Sequence, residues 1–402
     1  MTLRSANSQQ LRQALLFILW AGLALFVGYA LMGHSVVSDA YSGKSISFFN
    51  KALESRGEHS LEFYQKKADY LIYFLGTGWI TALTVLMRLL RAPSAVERRF
   101  IDSLLFLQVA SLFWSYFLSH GTERHWYVIQ EIMTFTGHPP YQHRVLFVGL
   151  AHALRTLSPS LTYHESYLMS QMAAIVLALW AVRRLAGLFI SRDLTFIAPC
   201  LALLMYAPTL DYFTFYDIGI IFVYSFCLYH LYRRDFIPYT LMFAVGTYNH
   251  ELTLFLVVTS ACVFIGRMKP GHLAGFLILQ LAVYAGVRST LFFFLPTTHL
   301  WDGGKVAYNS GLFFEHPRTL FMNLYQPVFW YVLAAFGLPH APPALRRSLI
   351  ILPCLLVMTF FVGQFNESRQ FDAFIPVAVM LMVSWIAFRV GMVPAERDSR
   401  VA

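Results

Sequence analysis

Residues 237–266 read IPYTLMFAVGTYNHELTLFLVVTSACVFIG. These thirty residues form a nearly continuous apolar run, longer than the ~20 that one membrane-crossing helix needs. Gly246, Asn249, His250 and Glu251 interrupt it near the middle, and basic residues flank both ends, Arg233 and Arg234 before it, Arg267 and Lys269 after it. Strand-type alternation is absent, and a chain in lipid must satisfy its own backbone polar groups, so the run is helical. A run that starts and ends at basic residues and turns polar halfway reads as a broken helical hairpin, two short helices turning near Asn249.

Outward from this hairpin, the same criterion finds further apolar helices at 14–33, 70–90, 101–119, 163–187, 195–210, 216–232, 273–294, 319–338, 348–364 and 371–390, with a short one at 144–157 that lies in or dips into the outer leaflet. The expected fold is all-α: a polytopic transmembrane helical bundle of about 11–13 helices. The run Ala14–Met32 follows Arg4 and Arg12 but is longer than a signal-peptide core, so it reads as a retained first span. Residues 34–69 are the longest non-membrane piece, and Ile46, Phe49, Leu53, Leu61 and Tyr64 among Lys and Glu suggest an external amphipathic helix. No repeat, low-complexity tract or appended soluble domain is visible, so 1–402 reads as a single integral membrane domain.

The composition agrees. The chain is 57% hydrophobic and 13% charged, against roughly 25% charged in soluble domains, which excludes an ordinary soluble enzyme. The net charge of +9 has a positional meaning. Placing the N-terminus in the cytoplasm puts 18 basic and 6 acidic residues in the cytoplasmic turns and leaves 12 basic and 15 acidic residues elsewhere, +12 against −3. Short basic loops mark the cytoplasmic side. The basic residues are therefore topological signals split among short turns, with no continuous stripe for nucleic acid.

Chemistry concentrates at the external helix ends. There lie Asp39, the segment His138-Pro-Pro-Tyr-Gln-His143-Arg144, Asp211, Asp217, Asn249-His250-Glu251, Trp301-Asp302 with Lys305, Asn366-Glu367-Ser368-Arg369 and Asp372. Ionisable groups at membrane depth are costly unless they face protein or water, so their accumulation on one side implies a polar cavity there. Each also has a structural reading. Asp39 is either an interfacial acid or a base at the cavity mouth. His138 and His143 flank a Pro-Pro turn. Arg144 opens an apolar helix and needs an anion, which is a ligand phosphate, a lipid headgroup or a carboxylate. Asp217 either caps its helix or faces the cavity, and Asp211 reads as structural. Glu251 in mid-run has Arg288 as its expected structural partner. Glu367 and Arg369 read either as a surface ion pair or, for Arg369, as a second phosphate ligand. Lys305 sits in a Gly-Gly turn of binding-loop composition, although Trp and Lys are also common at interfaces.

There is no phosphate-binding P-loop, dinucleotide fingerprint, HExxH or nucleophile elbow. Cys200, Cys227, Cys262 and Cys354 lie apart in apolar stretches, which implies neither disulfides nor zinc.

An acid soon after the first span, an external amphipathic segment, the Pro140-Tyr141-x-x-Arg144-x-Leu146 run before a short helix, and a polar external face on about a dozen helices together resemble the membrane glycosyltransferases of the GT-C class. Phe215-Tyr216-Asp217, Tyr248-Asn249-His250-Glu251 and Asn366-Glu367-Ser368-Arg369 look like motifs of poorly characterised bacterial members. The resemblance covers most of the chain in architecture, through short and degenerate motifs. It implies transfer of a sugar from a polyprenyl-phosphate carrier to an envelope lipid, glycan or protein acceptor on the extracytoplasmic side of a bacterial inner membrane. Asp39 would be the catalytic base. His138, His143, Arg144, Asp217, Glu251, Arg288, Lys305, Glu367 and Arg369 would bind substrate, with Arg144, Arg369 and a histidine on the phosphate. Many members carry two neighbouring acids where Asp39 stands alone. No cofactor is implied; some members use a divalent metal, for which this sequence offers no convincing ligand set. Membrane lipids are the other expected partners. Two other classes fit the composition: a secondary transporter or lipid-linked glycan flippase using the broken hairpin with Glu251 and Arg288, and an envelope polymerase, ligase or acyltransferase.

Overall fold

The computed structural model describes residues 126–136, 141–191, 195, 197–206, 216–295, 304–365 and 367–389, with Ala21, Trp79, Arg99 and Ser103 as single positions. The chain divides into two compact units, Met1–Ser119 and His120–Ala402, and every helix described below belongs to the second. Apart from those single positions, the expected spans 14–33, 70–90 and 101–119 lie outside the described residues. So do the segment 34–69, Asp39, His138, Asp211, Trp301, Asp302 and Asn366.

The second unit is all-α. In chain order its helices are α1 Trp126–Met133, α2 Leu146–Leu157, α3 Tyr163–Ala186, α4 Ile197–Tyr206, α5 Asp217–Arg233, α6 Phe236–Thr247, α7 Leu254–Phe264, α8 Pro270–Phe294, α9 Val306–Phe314, α10 Pro317–Ala335, α11 Pro343–Phe361 and α12 Ile375–Arg389. A single 3-10 turn at Ser348–Ile350 interrupts α11, and a 3-10 segment Ser368–Phe374 leads into α12. Tyr163–Ala186, Pro270–Phe294, Pro343–Phe361 and Arg369–Arg389 are long and apolar enough to cross a membrane. The protein is a multi-pass integral membrane helical bundle. Helices α1 and α9 were not expected; both are short and lie in segments the hydropathy reading left as loops.

Local chemistry sets the helix boundaries. α3 begins at a reciprocal cap, with the Thr162 hydroxyl accepting the Glu165 N–H at 3.2 Å and the Glu165 carboxylate accepting the Thr162 N–H at 2.8 Å. Pro270 starts α8, where a missing N–H costs nothing. Arg234 ends α5 in the left-handed region at φ 62°.

Helices α5 and α8 show the two extremes of environment. Fourteen of the seventeen α5 residues are buried, which makes it the central helix. On α8 only Phe276, Gln280 and Leu291 are buried, while Ile278, Leu281, Phe292, Phe293 and Phe294 are exposed apolar side chains. A 25-residue helix, about 37 Å long, with that surface has lipid as its natural solvent.

The expected hairpin is present. Phe236 meets Phe264 at 5.6 Å between ring centroids, the Tyr239 hydroxyl meets Ser260 Oγ at 3.0 Å, and the Thr247 and Thr253 hydroxyls meet at 3.1 Å. These pairs step inward from the base to the tip, the register of two antiparallel arms. The arms of twelve and eleven residues are about 18 and 17 Å long, shorter than the ~30 Å hydrocarbon layer. Tyr239 also donates to Gln280 Oε1 of α8 at 2.9 Å, tying the hairpin base to the lipid-facing helix. Gly246 lets α6 lie on α5, because a Cβ there would collide with Val223.

Arginines gather at the far end of α5 from Asp217. Arg347 donates to the carbonyls of Cys262, Val263 and Ile265, at 3.4, 3.2 and 2.8 Å, and Arg233 donates to the Tyr229 hydroxyl at 2.7 Å. The acidic residue that opens α5 and the basic residue that closes it are about 25 Å apart. All four cysteines are free.

Candidate substrate-binding site

At the Asp217 end of α5, residues from three other segments of the chain converge on Tyr216. Its carbonyl accepts the Asn249 amide at 3.0 Å, and its hydroxyl accepts from Arg369 Nη1 at 2.9 Å. The Arg144 guanidinium stacks over its ring at 3.9 Å, and the His250 ring meets it edge-on at 5.2 Å. An aromatic ring under a guanidinium in a poorly solvated site contributes cation–π attraction of about 2 kcal/mol.

Backbone geometry explains how Arg144 reaches the ring. The N–H groups of Val145 and Leu146, which open α2 without a side-chain cap, donate to the Tyr248 carbonyl at the hairpin tip, at 2.8 and 3.3 Å. This docks the start of α2 onto the tip and carries Arg144 to Glu251. Arg144 Nη2 lies 2.5 Å from Glu251 Oε1, and Nε lies 3.3 Å from Oε2, a two-bonded pair. Gly219 keeps α5 open to this docking, because a Cβ there would strike Phe147 and approach Asn249 Oδ1 to 2.8 Å.

The pairing corrects one expectation. Glu251 is matched by Arg144, not by Arg288; the tip turn aims the carboxylate at the α2 entrance. His250 Nδ1 lies 3.4 Å from Glu251 Oε2 but accepts the Leu252 N–H at 3.2 Å. That nitrogen therefore offers a lone pair, and the contact with Glu251 is not an ion pair.

Two other expected roles change. Asp217 is the first residue of α5, and the preceding Tyr216 holds the cap position without a side-chain cap bond, so the carboxylate is not the cap. Its buried Oδ2 has no hydrogen-bond partner among the described residues, with Arg369 and Arg144 the principal cations acting on it. Arg369 does pair with Glu367 at 3.0 Å, but it is only 7% exposed, so it belongs to the interior and not to a surface ion pair.

His143 is buried. Its Nε2 lies 2.9 Å from the Leu295 carbonyl, which Gln142 also reaches, and its ring packs on Phe292 at 4.6 Å. Burial pushes its pKa below the ordinary imidazole value of 6.5, so it stays neutral and donates Nε2–H to that carbonyl. Arg288 lies on α8 with its guanidinium 5.5 Å from the Phe292 ring, and its charge acts on His143, His250 and Tyr284. Lys305 stands apart: its backbone N–H donates to Phe361 O, at the start of α9, and among the described residues no hydrogen bond or ion pair joins its side chain to Tyr216 or its neighbours.

His143, Arg144, Asp217, Glu251, Arg288, Glu367 and Arg369 thus form one neighbourhood with three arginines and three acids. Tyr216, Asn249, His250 and Tyr284, whose hydroxyl donates to Glu251 O at 3.2 Å, complete it. Tyr216, Asn249 and His250 stand in the polar runs that the sequence already marks; Tyr284 does not, and its usable signal is the four-residue spacing to Arg288. Among the described residues no group of His, Cys, Asp and Glu is arranged to hold a metal ion. No family model matches this chain, and no curated protein or solved structure does either.

Proposed function

We propose that this protein is an inverting membrane glycosyltransferase of GT-C type, which moves a sugar from a polyprenyl-phosphate carrier to an envelope acceptor on the extracytoplasmic side of a bacterial inner membrane. The observation that carries the reading is the convergence of three arginines on a buried polar end of the bundle, where Asp217 Oδ2, Asn249 Oδ1 and Arg288 Nη1 have no hydrogen-bond partner among the described residues. Buried polar atoms are rarely left unsatisfied without a functional reason. The position of the site at the opposite end from the basic turns supports an external location with the N-terminus inside.

In this reading the sugar arrives already activated. A carboxylate base, the role that the sequence resemblance gives to Asp39, takes the proton from an acceptor hydroxyl whose oxygen attacks C1, the C1–O bond to phosphate breaks, and the electron pair leaves with the polyprenyl phosphate. Arginines at the site stabilise that leaving charge. One displacement inverts C1. Purified protein is expected to consume a polyprenyl-phosphate sugar, and D39N to stop turnover while keeping the thermal transition. Full activity in D39N would remove the proposed base.

A transporter or flippase remains the second reading, favoured by the hairpin whose arms are too short to cross and whose polar tip lies in the site. Movement of a lipid-linked sugar across liposomes without chemical change would decide for it.

A further inference from the structure

Two of the three arginines at the site are already engaged by side chains on this chain. Arg144 holds Glu251 and Arg369 holds Glu367 and Tyr216. Arg288 differs: among the described residues it makes no hydrogen bond or ion pair, and its Nη1 is buried without a partner. Its contact is the Phe292 ring at 5.5 Å.

Its position sharpens the anomaly. Gln280, Tyr284, Arg288 and Leu291 repeat at helical spacing and form the inward stripe of α8. Gln280 is tied to Tyr239, Tyr284 to the Glu251 carbonyl, and Leu291 is buried. Beyond this stripe and the buried Phe276, α8 presents exposed apolar side chains, and the exposed Phe292, Phe293 and Phe294 lie within two turns of Arg288. A guanidinium at the seam between a polar site and hydrocarbon needs an anion, and no carboxylate of the described chain supplies one.

We propose that Arg288 is the binding residue for a lipid-borne phosphate that enters sideways from the bilayer along α8, its hydrocarbon chain lying on the aromatic end of that helix. A guanidinium fork matches two oxygens of a carboxylate or of a phosphate alike; the described chain brings no carboxylate to Arg288, and a phosphate ester is the anion that the lipid-phosphate reading above supplies. Arg144 and Arg369 then position Glu251, Tyr216 and Glu367 around the headgroup. The inference rests on the lipid-phosphate part of the reading above and not on sugar transfer.

The test uses full-length protein in uncharged phosphatidylcholine nanodiscs with three probes: heptaprenyl phosphate, heptaprenol and inorganic phosphate. The wild type is expected to prefer the phosphate over the alcohol by roughly ten- to hundred-fold, the range of one charge-assisted contact. R288Q is expected to lose that preference and R288K to keep part of it. An unchanged preference in R288Q overturns the assignment. Inorganic phosphate that binds as tightly as the lipid overturns lateral entry and makes free phosphate the ligand. Should R288Q not fold, a photo-crosslinker in place of Phe292 gives the answer in a chain that keeps Arg288. Labelling of the phosphate lipid well above the alcohol supports the site, and equal labelling overturns it. Binding without consumption of a sugar donor supports this site while removing the transferase reading.

Discussion

Arg144 and Glu251 are joined by two hydrogen bonds across 107 residues of chain, with Nη2 2.5 Å from Oε1 and Nε 3.3 Å from Oε2. The arginine is nearly buried, whereas the glutamate side chain is 30% exposed. Removing one partner leaves the other charge without its match. R144M and E251M should therefore each lower stability by about 2–4 kcal/mol. The double variant should lose less than the two combined by at least about 1 kcal/mol. Thermal unfolding in detergent of all four proteins gives the coupling; additive losses would mean the pair contributes nothing of its own.

The close approach of α6 to α5 makes a second expectation. G246A places a methyl group against Val223 and should destabilise the fold by about 1–3 kcal/mol. V223A in the same chain removes the obstacle and should recover most of the loss. If V223A deepens the loss of G246A, the two helices do not meet at this point.

The hairpin was legible because two independent signals coincided, basic residues at both ends of a long run and polar residues at its centre. The partner of Glu251 was not legible. Arg288, the arginine on the adjoining span, is the partner that hydropathy suggests, because hydropathy places residues by depth and says nothing about which segments pack side by side. The choice of Arg144 is made by the Tyr248 carbonyl, which docks the start of α2 on the hairpin tip. Helix α9 was missed for a related reason. Its anchor is Asn309, whose amide donates to the carbonyls of Thr359, Phe360 and Gly363 and accepts the Phe365 N–H. Those partners are some fifty residues away and leave no local periodicity.

The hairpin also makes a topological prediction. Cysteines in place of Asp235 and Met268, in a chain whose own four cysteines are replaced, should react with a membrane-impermeant maleimide from the same side. Both positions flank the base of the two arms. Labelling from opposite faces would mean that this segment crosses the membrane.

His143 introduces a pH dependence of known sign. Its pKa is lowered in the folded protein by burial, so the unfolded chain binds the proton more readily. The contribution to stability is complete above the ordinary value of 6.5 and is lost as pH falls from there toward the lower folded value. H143Q retains a donor for the Leu295 carbonyl but does not titrate. Its unfolding temperature should therefore fall less than the wild type's between pH 8 and pH 5. Parallel curves would show that His143 does not contribute.

Tyr216 separates the roles of its ring and its hydroxyl. Y216F keeps the ring under Arg144 and beside His250 but removes the acceptor for Arg369 Nη1. The freed N–H is buried, so a loss of about 1–2 kcal/mol is expected. Y216L removes the ring as well and should cost about 1–2 kcal/mol more, through the lost cation–π contact and packing. In an assay of carrier consumption, Y216F should retain measurable turnover if the hydroxyl only positions Arg369, and Y216L should lose it once Arg144 also shifts. Equal loss of stability and activity in both variants would place the whole effect in the hydroxyl and remove the ring from the argument.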